Sequence, residues 1–120
     1  MVPYICLLML PVVMAMEQDQ ANIPHGYQVP NPCYPTVHWA AVGHTHQFSG
    51  SKDDLNQFGK DFKAAGFQWT VDLCMKDSDG DGWTNGHELG DSRCVWKRGS
   101  PEEEPIRSHP GINERTHACS

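Results

Sequence analysis

One stretch of the chain carries apolar residues at helical spacing, and it predicts the main regular element. The stripe recurs at i, i+3, i+7 and i+10 and consists of Leu55, Phe58, Phe62 and Ala65. Ser51 is the predicted N-cap, and Asp54 follows three residues later in the manner of a capping box. Gly66 is expected to end the helix in the left-handed conformation. We therefore predict an amphipathic helix over residues 51–65 with its aromatic stripe in the core.

The remaining segments show weaker periodicity and predict short or irregular structure. Residues 16–35 are rich in proline and are predicted to form an irregular arm. Thr36–Val42 fits a short strand or a single helical turn with Trp39 buried, and Phe67–Met75 fits a short helix. Residues 100–107 are predicted to form a mobile acidic linker. The predicted fold class is a small, loop-rich, disulfide-bridged α+β domain with little strand.

Aspartates stand at alternate positions at the start of residues 77–88, and the segment has the spacing of a calcium loop in an EF-hand. Carboxylates occupy loop positions 1, 3, 5 and 12, and Gly82 at position 6 permits the sharp turn. Asn85, at position 9, would act through a water or through its own amide oxygen. The predicted ligands are Asp77, Asp79, Asp81, the carbonyl of Trp83, Asn85 and Glu88.

Calcium explains this spacing because it is a hard cation that takes about 6–8 oxygen ligands, so the chain must wrap around it. The alternative is a polar surface turn, since both residue types favour turns, but unpaired aspartates at alternate positions repel one another. Thr84 stands at position 8, where paired EF-hands place an aliphatic residue. Gly86 weakens the following helix by about 1 kcal/mol relative to alanine. No second loop of this pattern occurs, so we predict one structural EF-hand-like site rather than a paired sensor.

The chain begins with an apolar run that is interrupted by two prolines and is shorter than the roughly 20 residues of a membrane span. Val13 and Ala15 stand at the positions that a signal peptidase reads, although the segment has no lysine or arginine. We expect residues 1–15 to be a signal peptide, cleaved before Met16, and residues 16–120 to form one secreted domain without a membrane anchor. The alternatives are an uncleaved anchor or a buried helix.

Cleavage would remove Cys6 and leave an even number of cysteines, namely Cys33, Cys74, Cys94 and Cys119. In a short secreted chain this count predicts two disulfides, with three connectivities open. A Cys74–Cys94 bridge would clamp both flanks of the acidic loop, and Cys33–Cys119 would then tie together the two ends of the mature chain. Zinc binding by the four cysteines is the alternative, although no Cys-x-x-Cys pair supports it.

Charge and the absence of catalytic motifs narrow the functional classes. The formal net charge is −6, whereas nucleic-acid binding requires clustered lysine and arginine. The chain has no Gly-x-Ser-x-Gly elbow and no phosphate-binding loop. We therefore expect a non-enzymatic protein that binds other proteins. Lys97-Arg98 fits either a processing site for a convertase or a solvated basic pair.

The sequence also allows two functions other than protein binding. His44-x-His46, together with His38 and His109, suggests an extracellular copper or zinc site or a metalloenzyme, because histidines at i and i+2 share one face of a strand. The alternative for each is a surface or hydrogen-bonded histidine. A shell-matrix or extracellular-matrix role is the third hypothesis. The chain has one ordered acidic loop rather than long acidic tracts, which argues against bulk mineral binding.

Several segments together resemble the temptin family, secreted pheromone proteins of gastropod molluscs. The segments that carry the resemblance are 23–26, 29–33, Gly43-His44, Phe58-Gly59 with Asp61-Phe62, Gly66 with Trp69, 74–91, Cys94-Val95-Trp96 and 108–111. The resemblance implies the bridges Cys74–Cys94 and Cys33–Cys119 and an extracellular, calcium-associated domain. It also implies binding to another secreted pheromone peptide of the attractin kind or to a chemosensory receptor, in mate attraction.

The chain departs from the family pattern in two regions. Residues 45–48 replace a glycine-rich segment, and residues 107–120 diverge beyond His109-Pro110-Gly111. Trp83 and Trp96 are candidate contacts for a partner because tryptophan is common at binding hot spots, while core packing is the alternative for both.

Overall fold

The fold is described from a computed structural model, over residues 20–46 and 54–117. These residues contain three complete helices, α1 (Gln57–Ala64), α2 (Val71–Met75) and α3 (Asn85–Leu89). Two isolated antiparallel bridges, Pro30 with His38 and His44 with Leu55, are the β-structure of this part of the chain. The loop-rich architecture with little strand agrees with the prediction, and the β component of the predicted α+β class is limited to these two bridges.

Helix α1 begins six residues later than predicted, because the residues before it pair with another segment. Asp54 and Asn56 instead hydrogen-bond through their backbones to residues 43–45, at 2.8 and 2.9 Å, in extended conformation. The N-cap is Asn56, whose Oδ1 accepts the N–H of Gly59 at 2.8 Å. Its Nδ2 donates to the carbonyls of Val42 and His44. The predicted N-cap, Ser51, lies outside the described residues.

The aromatic stripe of α1 lies in the core, as predicted. Phe58 and Phe62 are buried with their rings stacked at 6.0 Å, and Trp39 is also buried. The cluster that they form comprises Ile23, Val29, Trp39, Val42, Phe58, Phe62, Leu73, Leu89 and Ile112. Gly66 follows the helix with a φ of 73°, which confirms the predicted left-handed position. Residues 36–42 form turns, with a bridge only at His38, rather than a regular strand or a helix.

Helices α2 and α3 flank the acidic loop, and each begins at a threonine. Thr70 caps α2 and Thr84 caps α3, each accepting a backbone N–H with its side chain. Position 8 of the loop therefore serves as a helix cap, and α3 ends at Gly90 in the left-handed conformation.

The predicted bridge between Cys74 and Cys94 is present, with Cα atoms 5.8 Å apart, and it joins α2 to the chain beyond α3. Zinc binding by these two residues is thereby excluded, since a disulfide offers no thiolate. Cys33 also takes part in a disulfide. Cys119 lies outside the described residues, so its pairing with Cys33 remains a prediction.

The predicted acidic linker, residues 100–107, contacts other segments of the chain through each of its three glutamates. Glu102 accepts the backbone N–H of His25, Glu103 pairs with Arg93, and Glu104 accepts both the N–H and the hydroxyl of Ser92. Its mobility remains a prediction, and these contacts limit the freedom expected of a linker.

No helix in the described part of the chain is long and apolar enough to cross a membrane. The predicted signal segment, residues 1–15, is outside that part.

A test of the core concerns Gly59, which lies against Gly43. A Cβ at position 59 would fall on the carbonyl oxygen of Gly43. Alanine normally stabilises a helix by about 1 kcal/mol relative to glycine; here we expect Gly59→Ala to lower the free energy of unfolding by about 1–3 kcal/mol through overpacking. Urea unfolding measures the change, and Lys63→Ala, at an exposed position of α1, is the matched control. A Gly59→Ala protein as stable as the parent would contradict this packing.

Candidate metal centre

The acidic loop folds around the side chain of its first residue. Asp77 accepts the backbone N–H groups of Gly80 and Asp81 with Oδ1, at 2.9 and 3.2 Å, and that of Gly82 with Oδ2 at 2.8 Å. Gly82 has a φ of 93°, so the turn requires the conformational freedom that its position in the pattern predicts. Desolvation by nearby atoms acts to raise the pKa of Asp77, which is exposed, but hydrogen bonds from the backbone of Gly82 and its neighbours and from the side chain of Asp79 lower it. Asp77 is therefore held as a carboxylate.

The three aspartates of the loop converge on one point. Asp77, Asp79 and Asp81 each offer a carboxylate oxygen, and these oxygens lie within 4.8 Å of one another. Within residues 20–46 and 54–117, no other group of three or more histidine, cysteine or acidic side chains converges in this way. Glu88, which belongs to α3 and is fully buried, is not part of this group of converging oxygens, but its carboxyl group interacts electrostatically with Asp79 and Asp81.

Two carboxylate oxygens of this cluster are buried without a hydrogen-bond partner among the described residues. They are Oδ2 of Asp79 and Oε1 of Glu88. Burying a carboxylate oxygen without a partner is costly, so such atoms are ordinarily satisfied by a hydrogen bond or a cation. The orphaned oxygens belong to loop positions 3 and 12, which both supply calcium ligands in an EF-hand.

The electrostatics of the cluster also favour a bound cation. Burial raises the pKa of Asp79, and the neighbouring carboxylate of Asp81 raises it further. Burial raises the pKa of Glu88 as well; the hydrogen bond from Ser108 opposes this, and the charges of Asp79 and Asp81 add to it. These carboxyl groups cannot all ionise unless a positive charge lies among them. An all-oxygen donor set fits a hard cation such as calcium.

Residues 107–113 cover the loop, a role that no pattern in the sequence predicts. The hydroxyl of Ser108 donates to Oε2 of Glu88 at 2.7 Å, and the backbone carbonyl of Glu88 accepts the N–H groups of Arg107 and Ser108. Nδ2 of Asn113 donates to the carbonyl of Asp79 at 3.1 Å. In the sequence, residues 108–111 contribute only to the family resemblance, which gives no indication of what this segment contacts.

The side chain of Asn85, a predicted ligand, makes three hydrogen bonds within the protein, and its ligand role stays a prediction. It is fully buried, and its Nδ2 donates to the carbonyl of Leu73 and the hydroxyl of Ser78, both at 2.9 Å. Its Oδ1 accepts the N–H of Ser78 at 3.3 Å. The side chain therefore supports the loop from behind, and ligation by its own amide oxygen would compete with that hydrogen bond. Ser78 in turn donates to Asp61 at 2.7 Å, which ties the loop to α1.

Trp83 lies at the surface of the loop rather than in the core. Its side chain is 52% exposed, and its ring stacks on that of His87 with the centroids 4.2 Å apart. Its backbone N–H donates to Oδ1 of Asp81. The role of its carbonyl as a ligand stays a prediction.

The histidines proposed for copper or zinc do not form a convergent site among the described residues. Nδ1 of His44 lies 2.8 Å from Oδ1 of Asp54, and His46 is exposed. His109 is fully buried, with its ring 4.8 Å from that of Trp39 and its Nδ1 accepting the N–H of Gly111. Burial, with a smaller contribution from His117, lowers the pKa of His109 to about 3. His109 is therefore a neutral core residue.

Comparison with known proteins identifies the family of this fold and loop. The family model described as Temptin C-terminal matches residues 13–112. Temptin of Aplysia californica is 51% identical over 113 residues, which cover 93% of this chain and 89% of that protein. No solved structure matches the chain. The match extends over the core, the disulfide-clamped loop and the segment that covers it, and the chain belongs to the temptin family.

Proposed function

We propose that the protein is a secreted pheromone-type signalling protein that is stabilised by calcium and acts by binding other secreted proteins or a receptor. The observation that carries the calcium part is the pair of buried, unpartnered oxygens on Asp79 and Glu88. Family membership supports the signalling part. No catalytic role belongs to this proposal.

The proposed ion has a structural role. Asp77, Asp79, Asp81 and Glu88 would hold it, with a carbonyl and a water completing the oxygen shell. Glu88 belongs to α3 and also binds the segment at 107–108, so one ion would join the loop, a helix and the C-terminal cover. Extracellular calcium sites have dissociation constants of about 10⁻⁴–10⁻³ M. Such affinity gives roughly 1 kcal/mol of stability at millimolar calcium, through preferential binding to the folded chain.

Thermal unfolding tests the structural ion. We expect calcium to raise the Tm by about 4–8 °C per kcal/mol of added stability and EGTA to lower it. Glu88→Gln keeps the shape and an oxygen for Ser108 but removes the charge, so it should abolish the calcium-dependent rise. Glu103→Gln, an exposed glutamate outside the loop, is the matched control. Identical melts of the parent protein in calcium and in EGTA would exclude a structural calcium ion.

Proton release provides a second measurement. Because the folded pKa values of Asp79 and Glu88 are raised, the ion-free folded chain keeps protons that the unfolded chain loses above about pH 4. Its stability should therefore fall as the pH rises above that value. Calcium replaces these protons, so its affinity should increase with pH, and calorimetry in buffers of different ionisation enthalpy should detect the released protons. A calcium affinity that does not change between pH 5 and pH 8 would contradict the assignment.

The partner is tested by affinity capture from the secretions of the source animal, with the bound material identified by mass spectrometry. We expect a secreted, disulfide-containing peptide of the attractin kind in calcium, and reduced capture by Glu88→Gln. Glu103→Gln should capture as the parent does. Recovery of no secreted protein above a blank resin would contradict the binding role while leaving the calcium assignment standing.

A further inference from the structure

Away from the metal centre, two tryptophans and the dibasic pair line a cavity of about 310 Å³. Its walls are formed by Asn22, Gln68, Trp69, Trp96, Lys97 and Arg98. We propose that this cavity is a binding site for an acidic saccharide, a sugar that carries a carboxylate or a sulfate group. None of its residues belongs to the acidic loop, so the proposal goes beyond the function proposed above and can fail independently of it.

The two indole rings are held in place by hydrogen bonds. Nε1 of Trp69 donates to Oδ2 of Asp91 at 2.8 Å, and the same oxygen accepts the backbone N–H of Trp96 at 3.0 Å. Nε1 of Trp96 donates to the carbonyl of Ser100 at 2.8 Å. Asp91 is only 4% exposed, so one buried carboxylate positions both walls. Rings that are fixed before binding lose little conformational entropy when a ligand stacks on them.

The polar groups of the cavity are free to contact a ligand. Nδ2 of Asn22 donates to the carbonyl of Phe67, and its Oδ1 accepts no hydrogen bond from the described residues. Gln68 is exposed and makes no side-chain hydrogen bond within the described residues. Lys97 and Arg98 are exposed, and no carboxylate of residues 20–46 or 54–117 lies within 4.0 Å of either cation. Two cations without a carboxylate partner among the described residues, at one cavity of a chain of net charge −6, favour an anionic ligand.

A saccharide accounts for the whole lining. The C–H face of a sugar ring packs on an indole, its hydroxyls pair with amide side chains, and its acidic group pairs with lysine and arginine. The volume is at the lower end of the range of about 300–1,000 Å³ for small-molecule sites. An acidic peptide would also pair with Lys97 and Arg98, but aspartate and glutamate side chains have no ring to pack on the two indoles.

A neighbouring cavity suggests room for more than one sugar. It measures about 350 Å³, shares Trp96 with the first cavity, and is bordered by the exposed ring of Tyr27. An oligosaccharide could therefore pass over Trp96 from one cavity into the other.

Indole N–H signals in NMR spectra of the ¹⁵N-labelled protein test the site directly. The chain has four tryptophans, Trp39, Trp69, Trp83 and Trp96. Titration with a chondroitin sulfate tetrasaccharide, in calcium buffer, should shift the signals of Trp69 and Trp96 saturably. The signals of Trp39, in the core, and Trp83, on the acidic loop, should not move. Absence of any saturable shift would overturn the proposal.

Charge variants and other probes separate the saccharide from simpler explanations. Lys97→Gln combined with Arg98→Gln should weaken binding by about tenfold or more, whereas Lys60→Gln with Lys63→Gln, an exposed pair on α1, should not. Trp96→Phe, which retains a flat ring, should bind more tightly than Trp96→Ala. If sodium sulfate at matched ionic strength shifts the Trp69 and Trp96 signals as much as the tetrasaccharide does, the site binds anions without recognising a sugar. Equal affinity for a penta-glutamate peptide would assign it to acidic peptides, and either result overturns the proposal.

Discussion

The structure depends on a cluster of carboxylates that is partly removed from water. Glu88 is fully buried, and Asp79 places an unpartnered oxygen beside it. Mutual repulsion and burial both raise the pKa values of these groups, so the cluster is stable either with protons or with a cation among its oxygens. Two features constrain the loop that carries these side chains. Backbone N–H groups of the loop donate to Asp77, and the Cys74–Cys94 bridge joins the two flanks of the loop.

A single loop of this kind lacks the second loop that completes a paired EF-hand, and other segments take its place. Ser108 and Asn113 bind Glu88 and the backbone of Asp79 from the C-terminal side. On the opposite side, Asn85 and Ser78 connect the loop to α1 through Asp61. The loop is thus supported by contacts between residues 17 to 34 positions apart. An ion bound there would stabilise distant parts of the chain together, which suits a domain with a small core and short helices.

Local patterns predicted the features that depend on neighbours in sequence. The 3.6-residue period identified the buried face of α1, Gly66 marked its end, and the Asp-x-Asp-x-Asp-Gly spacing identified the convergent carboxylates. The patterns failed where a distant segment decides the conformation. Ser51 has a good capping side chain, yet α1 begins after Asn56, because residues 54–56 pair with residues 43–45 and the amide of Asn56 satisfies two carbonyls there. The loop spacing likewise does not predict that the buried amide of Asn85 bonds to Ser78 and Leu73, and the ligand role of Asn85 stays a prediction. No local pattern at 107–113 predicts that this segment covers the loop.

The metal centre and the tryptophan cavity are connected through α3. Glu88 faces the loop, and Asp91, three residues later, holds Trp69 and Trp96 at the cavity. Gly90 ends the helix between them in a left-handed turn, where a side chain would meet the backbone carbonyls of Glu104 and Pro105 and the ring of His25. This close packing leaves little room for Asp91 to move relative to Glu88. The Cys74–Cys94 bridge spans the same turn, so packing and a covalent link position Asp91 beside the helix that carries Glu88. The two sites are chemically separate, yet they lie on either side of one turn, with Glu88 in α3 and Asp91 two residues after that helix ends.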